Sequence, residues 1–483
     1  MANFESLSSE YHKINIILNI KSLMKYFSLL FSVVLFFGCK GDHKQNYTTY
    51  FGGQIINPKS DKVFISKDDK VLDSAKLGDN NKFLMELDSI KTGLYTFTHG
   101  PELQFIYLEP KDSLLIRINT WDFDESLVFS GKGAERNNFL INLFLENEKE
   151  DKLFFDYYHL NDSLFELKID SVQKRKKLFY DQFKQEITDN SPLFEKIAEE
   201  VIYFPLYRKK EAYPYRHKKA IRSDHYPQIS PAFYKFRKNI DINDKELANF
   251  YPHRDYVRTY LYHLAYEKQI IDNHKSTMEL NFMKAAVENI KLDEVKNKFL
   301  HEGMWLTLLD ENSTQEEKEM AQRLFFDHCT DEKSVAEITH LIRASEITPA
   351  GQKLPEIDVY DINRENSTLG NIIKNNNTIL YTWPKDLRQI ENLAKRVNYL
   401  EQKYPEFLFI GINSKNNEYN WKKYISSKKM NPDNQYCVEK GNEWLDVNFA
   451  RAIIVDKNGV VMNNMTHLSS RHFEHQIKNL NKN

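Results

Sequence analysis

The chain has 483 residues, too many for one hydrophobic core, so two to four domains are expected. Its 41% hydrophobic and 13% aromatic content, with 27 Tyr and 32 Phe, excludes a largely disordered chain. Lys plus Arg number 67 against 69 Asp plus Glu, and a net charge of -2 excludes a chain-wide attraction to nucleic acid or anionic lipid. Short charge runs such as Lys174-Arg175-Lys176-Lys177 lie in helix-like sequence and read as solvated faces. Three cysteines, Cys39, Cys329 and Cys437, are too few for a disulfide framework. Cys329 and Cys437 could pair in an oxidising compartment or stand as two separate buried thiols, and spacing does not decide between these.

Residues 1–39 read as a signal-peptide region, with Met24-Lys25 as its natural start. Lys25 supplies the positive end, and Tyr26 to Phe37 is an apolar run of 12 residues. That is short of the ~20 residues a membrane-spanning helix needs. The ending Leu35-Phe36-Phe37-Gly38-Cys39 resembles a bacterial lipobox, and polar sequence starts directly after it. The resemblance implies lipid attachment at Cys39, a mature chain beginning there, and a membrane partner held through that lipid. The expected location is the bacterial cell envelope at the outer membrane, facing either the periplasm or the exterior. An incidental cysteine after a buried hydrophobic helix is the other reading.

Residues 46–134 read as β-rich. Strands are expected at Lys62–Ser66, Lys82–Leu87, Gly93–Thr98, Leu103–Leu108 and Ser113–Asn119, separated by turn signals such as Asp79-Asn80-Asn81 and Gly100-Pro101. Their spacing predicts a small sandwich or barrel. The order of Gly53-Gln54-Ile55, Gly93-Leu94-Tyr95, Tyr107 to Ser113 and Phe129 to Ala134 resembles a domain of Bacteroidetes-type envelope lipoproteins that precedes a thioredoxin-like module.

Residues 135–345 read as helical. Phe139, Leu140, Leu143 and Phe144 share one helical face, and Leu164, Leu167, Ile169 and Val172 approximately share another. Asn190-Ser191-Pro192 marks a helix start. Two stretches, Tyr203 to His225 and Phe250 to His263, mix Tyr, His, Arg and Lys. They read as packed helices with snorkelling basic side chains, with a peptide- or glycan-binding face as the alternative.

Residues 352–483 carry a β-α-β then β-β-α order. Strands are expected at Thr378–Trp383, Phe407–Asn413, Ala452–Asp456 and Val460–Asn463, with helices at Ser367–Lys374, Arg388–Lys403, Glu418–Ser427 and Ser469–Leu480. Leu354-Pro355, Leu380-Tyr381-Thr382-Trp383 and Ile453 to Gly459 resemble the TlpA-type thioredoxin-like family of bacterial envelopes. The fold class expected is therefore multidomain α+β, with an N-terminal β-sandwich or barrel, a central helical domain and a C-terminal thioredoxin-like α/β domain.

The resemblance implies thiol-disulfide chemistry at a Cys-X-X-Cys that opens the helix after Trp383. Pro384-Lys385-Asp386-Leu387 stands there instead, and Ala450 stands where the family has a cis-proline. Without a nucleophile and a resolving thiol the dithiol cycle has no chemistry. The reading is a redox-inactive scaffold with no catalytic residue, cofactor, metal or nucleic acid, binding an envelope protein or peptide. The alternative is a thiol-disulfide oxidoreductase or peroxidase-like enzyme using Cys437. His467, His472 and His475 read as polar surface rather than metal ligands.

Overall fold

A computed structural model describes residues 48–187, 191–272, 275–310, 313–384, 387–414, 418–438, 442–445, 451–470 and 472–480. Cys39 with its apolar run, and Ala450, lie outside the described residues.

The chain opens with β1 (Thr49–Ile56), β2 (Lys62–Lys67), β3 (Lys70–Lys76), β4 (Lys82–Leu87), β5 (Gly93–His99), β6 (Glu102–Leu108), β7 (Ser113–Asn119) and β8 (Val128–Lys132). They form two four-stranded sheets, β4-β1-β7-β8 and β3-β2-β5-β6. Clean alternation puts Phe83, Met85 and Leu87 on one face of β4, and Leu114, Ile116 and Ile118 on one face of β7. These meet Val63, Ile65, Phe97 and Ile106 of the other sheet in a single core, which makes the unit a sandwich. Gly53 sits at φ 148, and a Cβ there would lie 2.0 Å from the Ile116 carbonyl oxygen of the neighbouring strand.

Helices follow: α1 (Ala134–Tyr157), α2 (Asp162–Glu186), α3 (Pro192–Ala220), α4 (Tyr251–Ile271), α5 (Met278–Asn289), α6 (Asp293–Leu309), α7 (Gln315–His328) and α8 (Glu332–Ile347). Two adjacent asparagines dock α1 on the sandwich. Asn137 pairs with both backbone groups of Tyr107 at 2.8 Å, and Asn138 does the same with Phe129 at 3.0 Å. Tyr107 lies on β6 and Phe129 on β8, the edge strands of the two sheets. Each side-chain amide thus fills ladder positions that an edge leaves open. Ser191 caps α3 through the Phe194 N–H, with Pro192 in its first turn. Inside α3, Pro205 lacks the N–H that would reach the Val201 carbonyl, and Asn147 of α1 donates to that carbonyl at 3.1 Å.

The helical layer departs from its sequence reading in two ways. On α2 the buried stripe is Phe165, Ile169, Val172, Lys176, Tyr180 and Phe183, whereas Leu164 and Leu167 are 48% and 62% exposed. The 3–4 spacing starts from Phe165, and one residue's offset of about 100° turns the two leucines to solvent. Several basic side chains are buried in ion pairs: Lys176 of the run read as a solvated face, and Lys209 and Lys210 of the stretch read as snorkelling. Lys176 meets Glu150 at 2.6 Å, Lys209 meets Asp151, and Lys210 meets Glu166 at 2.6 Å. Each cation needs its carboxylate because an unpaired buried charge is far costlier than a paired one.

The last part contains β9 (Asp358–Tyr360), β10 (Asn366–Thr368), α9 (Leu369–Ile373), β11 (Thr378–Thr382), α10 (Leu387–Lys403), β12 (Leu408–Asn413), α11 (Glu418–Ser427), β13 (Gln435–Val438), β14 (Arg451–Val455), β15 (Val461–His467) and α12 (Phe473–Leu480). The sheet order is β10-β9-β13-β12-β11-β14-β15. Strands β11 and β12 are parallel, and β14 and β15 form an antiparallel hairpin beside β11. This is the thioredoxin-like arrangement, extended by β13, β9 and β10 beyond β12. One face is covered by α10, α11 and α12 through residues such as Val397, Trp421 and Phe473. The other is covered by α9 and by Ala344 of α8. The end of the helical layer therefore packs directly on the sheet. No helix among the described residues is long and apolar enough to cross a membrane.

Candidate functional site

Strand β11 is buried along its whole length and delivers Trp383, 1% exposed, to the point where α10 is about to start. Trp383 is fixed at its main chain by an N–H bond to the Ile412 carbonyl at 3.0 Å. Its indole Nε1 donates to Gln435 Oε1 at 3.0 Å, and the Gln435 amide nitrogen donates to the Tyr381 hydroxyl at 2.9 Å. These three side chains are buried, so each polar group needs its partner. Gly411 makes room for them. A Cβ there would lie 2.1 Å from Gln435 Oε1, 2.8 Å from the Tyr381 hydroxyl and 2.9 Å from Trp383 Nε1. Burial raises the Tyr381 hydroxyl well above its ordinary range, so it stays protonated. Between Trp383 and the first turn of α10 the sequence places Pro384, Lys385 and Asp386, none of which carries sulfur; Lys385 and Asp386 lie outside the described residues.

Cys437 is 2% exposed on β13, in register with Asn413 of β12 and Tyr360 of β9. Asn413 Nδ2 donates to its Sγ at 3.2 Å, and the Tyr360 side chain hydrogen-bonds it from the other strand. Burial pushes the Cys437 thiol up, and burial together with the neighbouring Cys437 pushes Tyr360 up to about 12. A thiol held protonated inside a sheet is the opposite of the electropositive, half-open setting that makes a nucleophile. Cys329 is also buried, and burial raises it too. Both cysteines are free, so the alternative of a bridge between them is corrected to two separate thiols.

Arg451 opens β14 and is fully buried. Its Nε donates to the Asn464 carbonyl at 2.8 Å and Nη1 to the Trp444 carbonyl at 3.2 Å. Nη2 reaches the Ala344 carbonyl at 3.4 Å and Thr348 Oγ1 at 3.3 Å. Ala344 and Thr348 stand at the C-terminal end of α8, where the helix dipole favours a cation. Burial lowers the guanidinium to about 10, still charged at neutral pH. Sequence reading passed over Arg451 because three of its four partners are main-chain oxygens, which leave no side-chain pattern to find.

The three histidines do not converge. His467 departs from the polar-surface reading: it ends β15 partly buried, its ring 5.0 Å from that of Trp305 of α6, whereas His475 lies on α12 beside Asn479. Burial depresses His467 to about 4, against 6.5 for the free side chain. Between those values the unfolded chain binds the extra proton, so stability falls as pH drops from about 6.5 to about 4 and is fully present above it. We expect His467→Phe, which keeps a ring on Trp305, to lose less melting temperature than wild type between pH 7 and pH 4. Equal losses would assign the acid sensitivity elsewhere.

No family model matches the chain, and no curated protein matches it. Solved structures do. The thioredoxin domain of a thiol-disulfide oxidoreductase from Bacteroides vulgatus is 21% identical over 27% of this chain and 96% of that one, with a TM-score of 0.23. A thiol:disulfide interchange protein from Bacteroides sp. is 23% identical over 24% and 80%, with a TM-score of 0.20. A secreted Mycobacterium tuberculosis disulfide oxidoreductase is 11% identical over 26% and 95%, with a TM-score of 0.21. The thioredoxin-like assignment rests on the strand order and directions described above.

Proposed function

We propose that this chain is a bacterial envelope lipoprotein, anchored through Cys39, whose thioredoxin-like domain is a binding and assembly module without dithiol chemistry. The observation that carries this reading is a buried strand and polar knot aimed at a helix start whose sequence supplies no thiol. Cys437 does not replace it, because its sulfur is sealed between β12 and β9 and kept protonated by burial. The Arg451 contacts support a scaffold role, since they tie the sheet to α8 instead of leaving it a separate module. The partner in this reading is an envelope protein or peptide, and the membrane is engaged through the lipid alone.

Anchoring is tested by metabolic labelling with a fatty-acid analogue in a bacterial host. Wild type is expected to carry the label and fractionate with membranes, and Cys39→Ser to lose both. Label retained by Cys39→Ser would refute anchoring at this residue.

A further inference from the structure

The two aromatic and basic stretches of the helical layer meet α1 around a cleft of about 230 Å³. A second hollow of about 160 Å³ shares Asp151 and Arg208 with it. The walls are Phe155, 65% exposed, the buried Tyr158, and Tyr215, 37% exposed. The charges in the lining are unequal: Arg208, Lys209 and Arg216 face the single carboxylate Asp151. Arg208 and Lys209 both bond Asp151, Arg208 at 2.6 Å, and Asp255 stands 4.0 Å from Arg208. Burial by itself would raise the Asp151 carboxyl, but Lys209 and Arg208 outweigh it and hold it below its ordinary value. Arg208 and Lys209 therefore have acidic partners within the protein, Asp255 being shared with Arg254 at 3.3 Å. Arg216 does not: among the described residues its contacts are the rings of Tyr158 at 5.8 Å and Tyr215 at 5.5 Å, with no acidic partner.

We propose that this cleft binds a carboxylate carried on an apolar side chain or ring, with Arg216 as the anion partner and Phe155, Tyr158 and Tyr215 as the walls. A guanidinium laid on aromatic rings keeps its planar fork free for a carboxylate. A guanidinium without an acidic partner suits a carboxylate, and a neutral sugar would leave it without one. The volume is small for a whole drug-sized ligand and suits a single terminal residue. Two sources share this chemistry, the C-terminus of a peptide and a free aromatic acid. The site lies on α1, α3 and α4, away from the thioredoxin-like sheet, so it stands or falls independently of the proposed scaffold role.

The test is calorimetric titration of the full chain with three probes: acetyl-Ala-Ala-Phe as the free acid, the same peptide as its C-terminal amide, and N-acetylphenylalanine. Saturable binding of the free acid is expected, weakened at least about tenfold by amidation and by Arg216→Gln. Phe155→Ser is expected to weaken it as well. Arg216 and Phe155 are exposed, so both variants should keep the wild-type melting temperature. Peptide binding tighter than N-acetylphenylalanine identifies a chain terminus as the source, and equal binding identifies the free acid; either supports the proposal. Equal binding of acid and amide, unchanged affinity in Arg216→Gln, or no saturation up to about 1 mM would overturn it.

Discussion

Arg451→Met is expected to destabilise the protein by about 3–5 kcal/mol, read as a fall in the chemical-denaturation midpoint. Methionine fills much of the same volume but donates nothing. The carbonyl oxygens of Trp444 and Asn464 then lose the guanidinium as donor, and that of Ala344 keeps only the Thr348 hydroxyl beside it. Two of the four contacts, those to Ala344 and Thr348, belong to α8, so the change should also loosen the sheet from the helical layer. Faster proteolysis in the segment between Ile347 and Asp358 would report that loosening. Arg451→Lys is expected to recover only part of the loss, because one ammonium with three donors cannot reach acceptors placed on three sides. A methionine variant as stable as wild type would show that Arg451 is dispensable to the fold.

Gly411→Ala is expected to cost about 3 kcal/mol or more. The added methyl would enter the space of Gln435 Oε1, the Tyr381 hydroxyl and Trp383 Nε1 at once. None of the three can retreat, since all are buried and bonded to one another. Relief should come from the partner rather than the site. Gln435→Ala removes the nearest atom, so Gly411→Ala with Gln435→Ala should be less unstable than the sum of the two single changes. Strict additivity in the denaturation midpoints would mean that the knot does not set the requirement for glycine.

These two residues also show where sequence legibility stops. Strands β4 and β7 are readable to their last residue because strict alternation buries one side of each. Strand β3 escapes because its two large apolar residues are exposed, Val71 at 62% and Leu72 at 51%. Strand β13 escapes because four residues give no period, although it carries Cys437 and Gln435. The helix of Glu418–Ser427 is readable, while α2 is readable as a helix whose buried face is right at Ile169 and Val172 but wrong at Leu164 and Leu167. The missing dithiol is visible in the sequence, since cysteine cannot be hidden from it. The buried knot, the Arg451 contacts and the paired asparagines on the sheet edges are not, because they depend on main-chain partners or on residues tens of positions away.

In the proposed function the thioredoxin-like domain holds a partner without exchanging disulfides. The most direct measurement is dithiothreitol-driven reduction of insulin by the purified chain, with Cys437→Ser and Cys329→Ser beside it. Turnover at the uncatalysed rate in all three is predicted, with Cys329 and Cys437 unreactive until the fold is lost, as their burial requires. Turnover clearly above that rate in wild type, abolished by Cys437→Ser, would contradict the account and make Cys437 a working nucleophile.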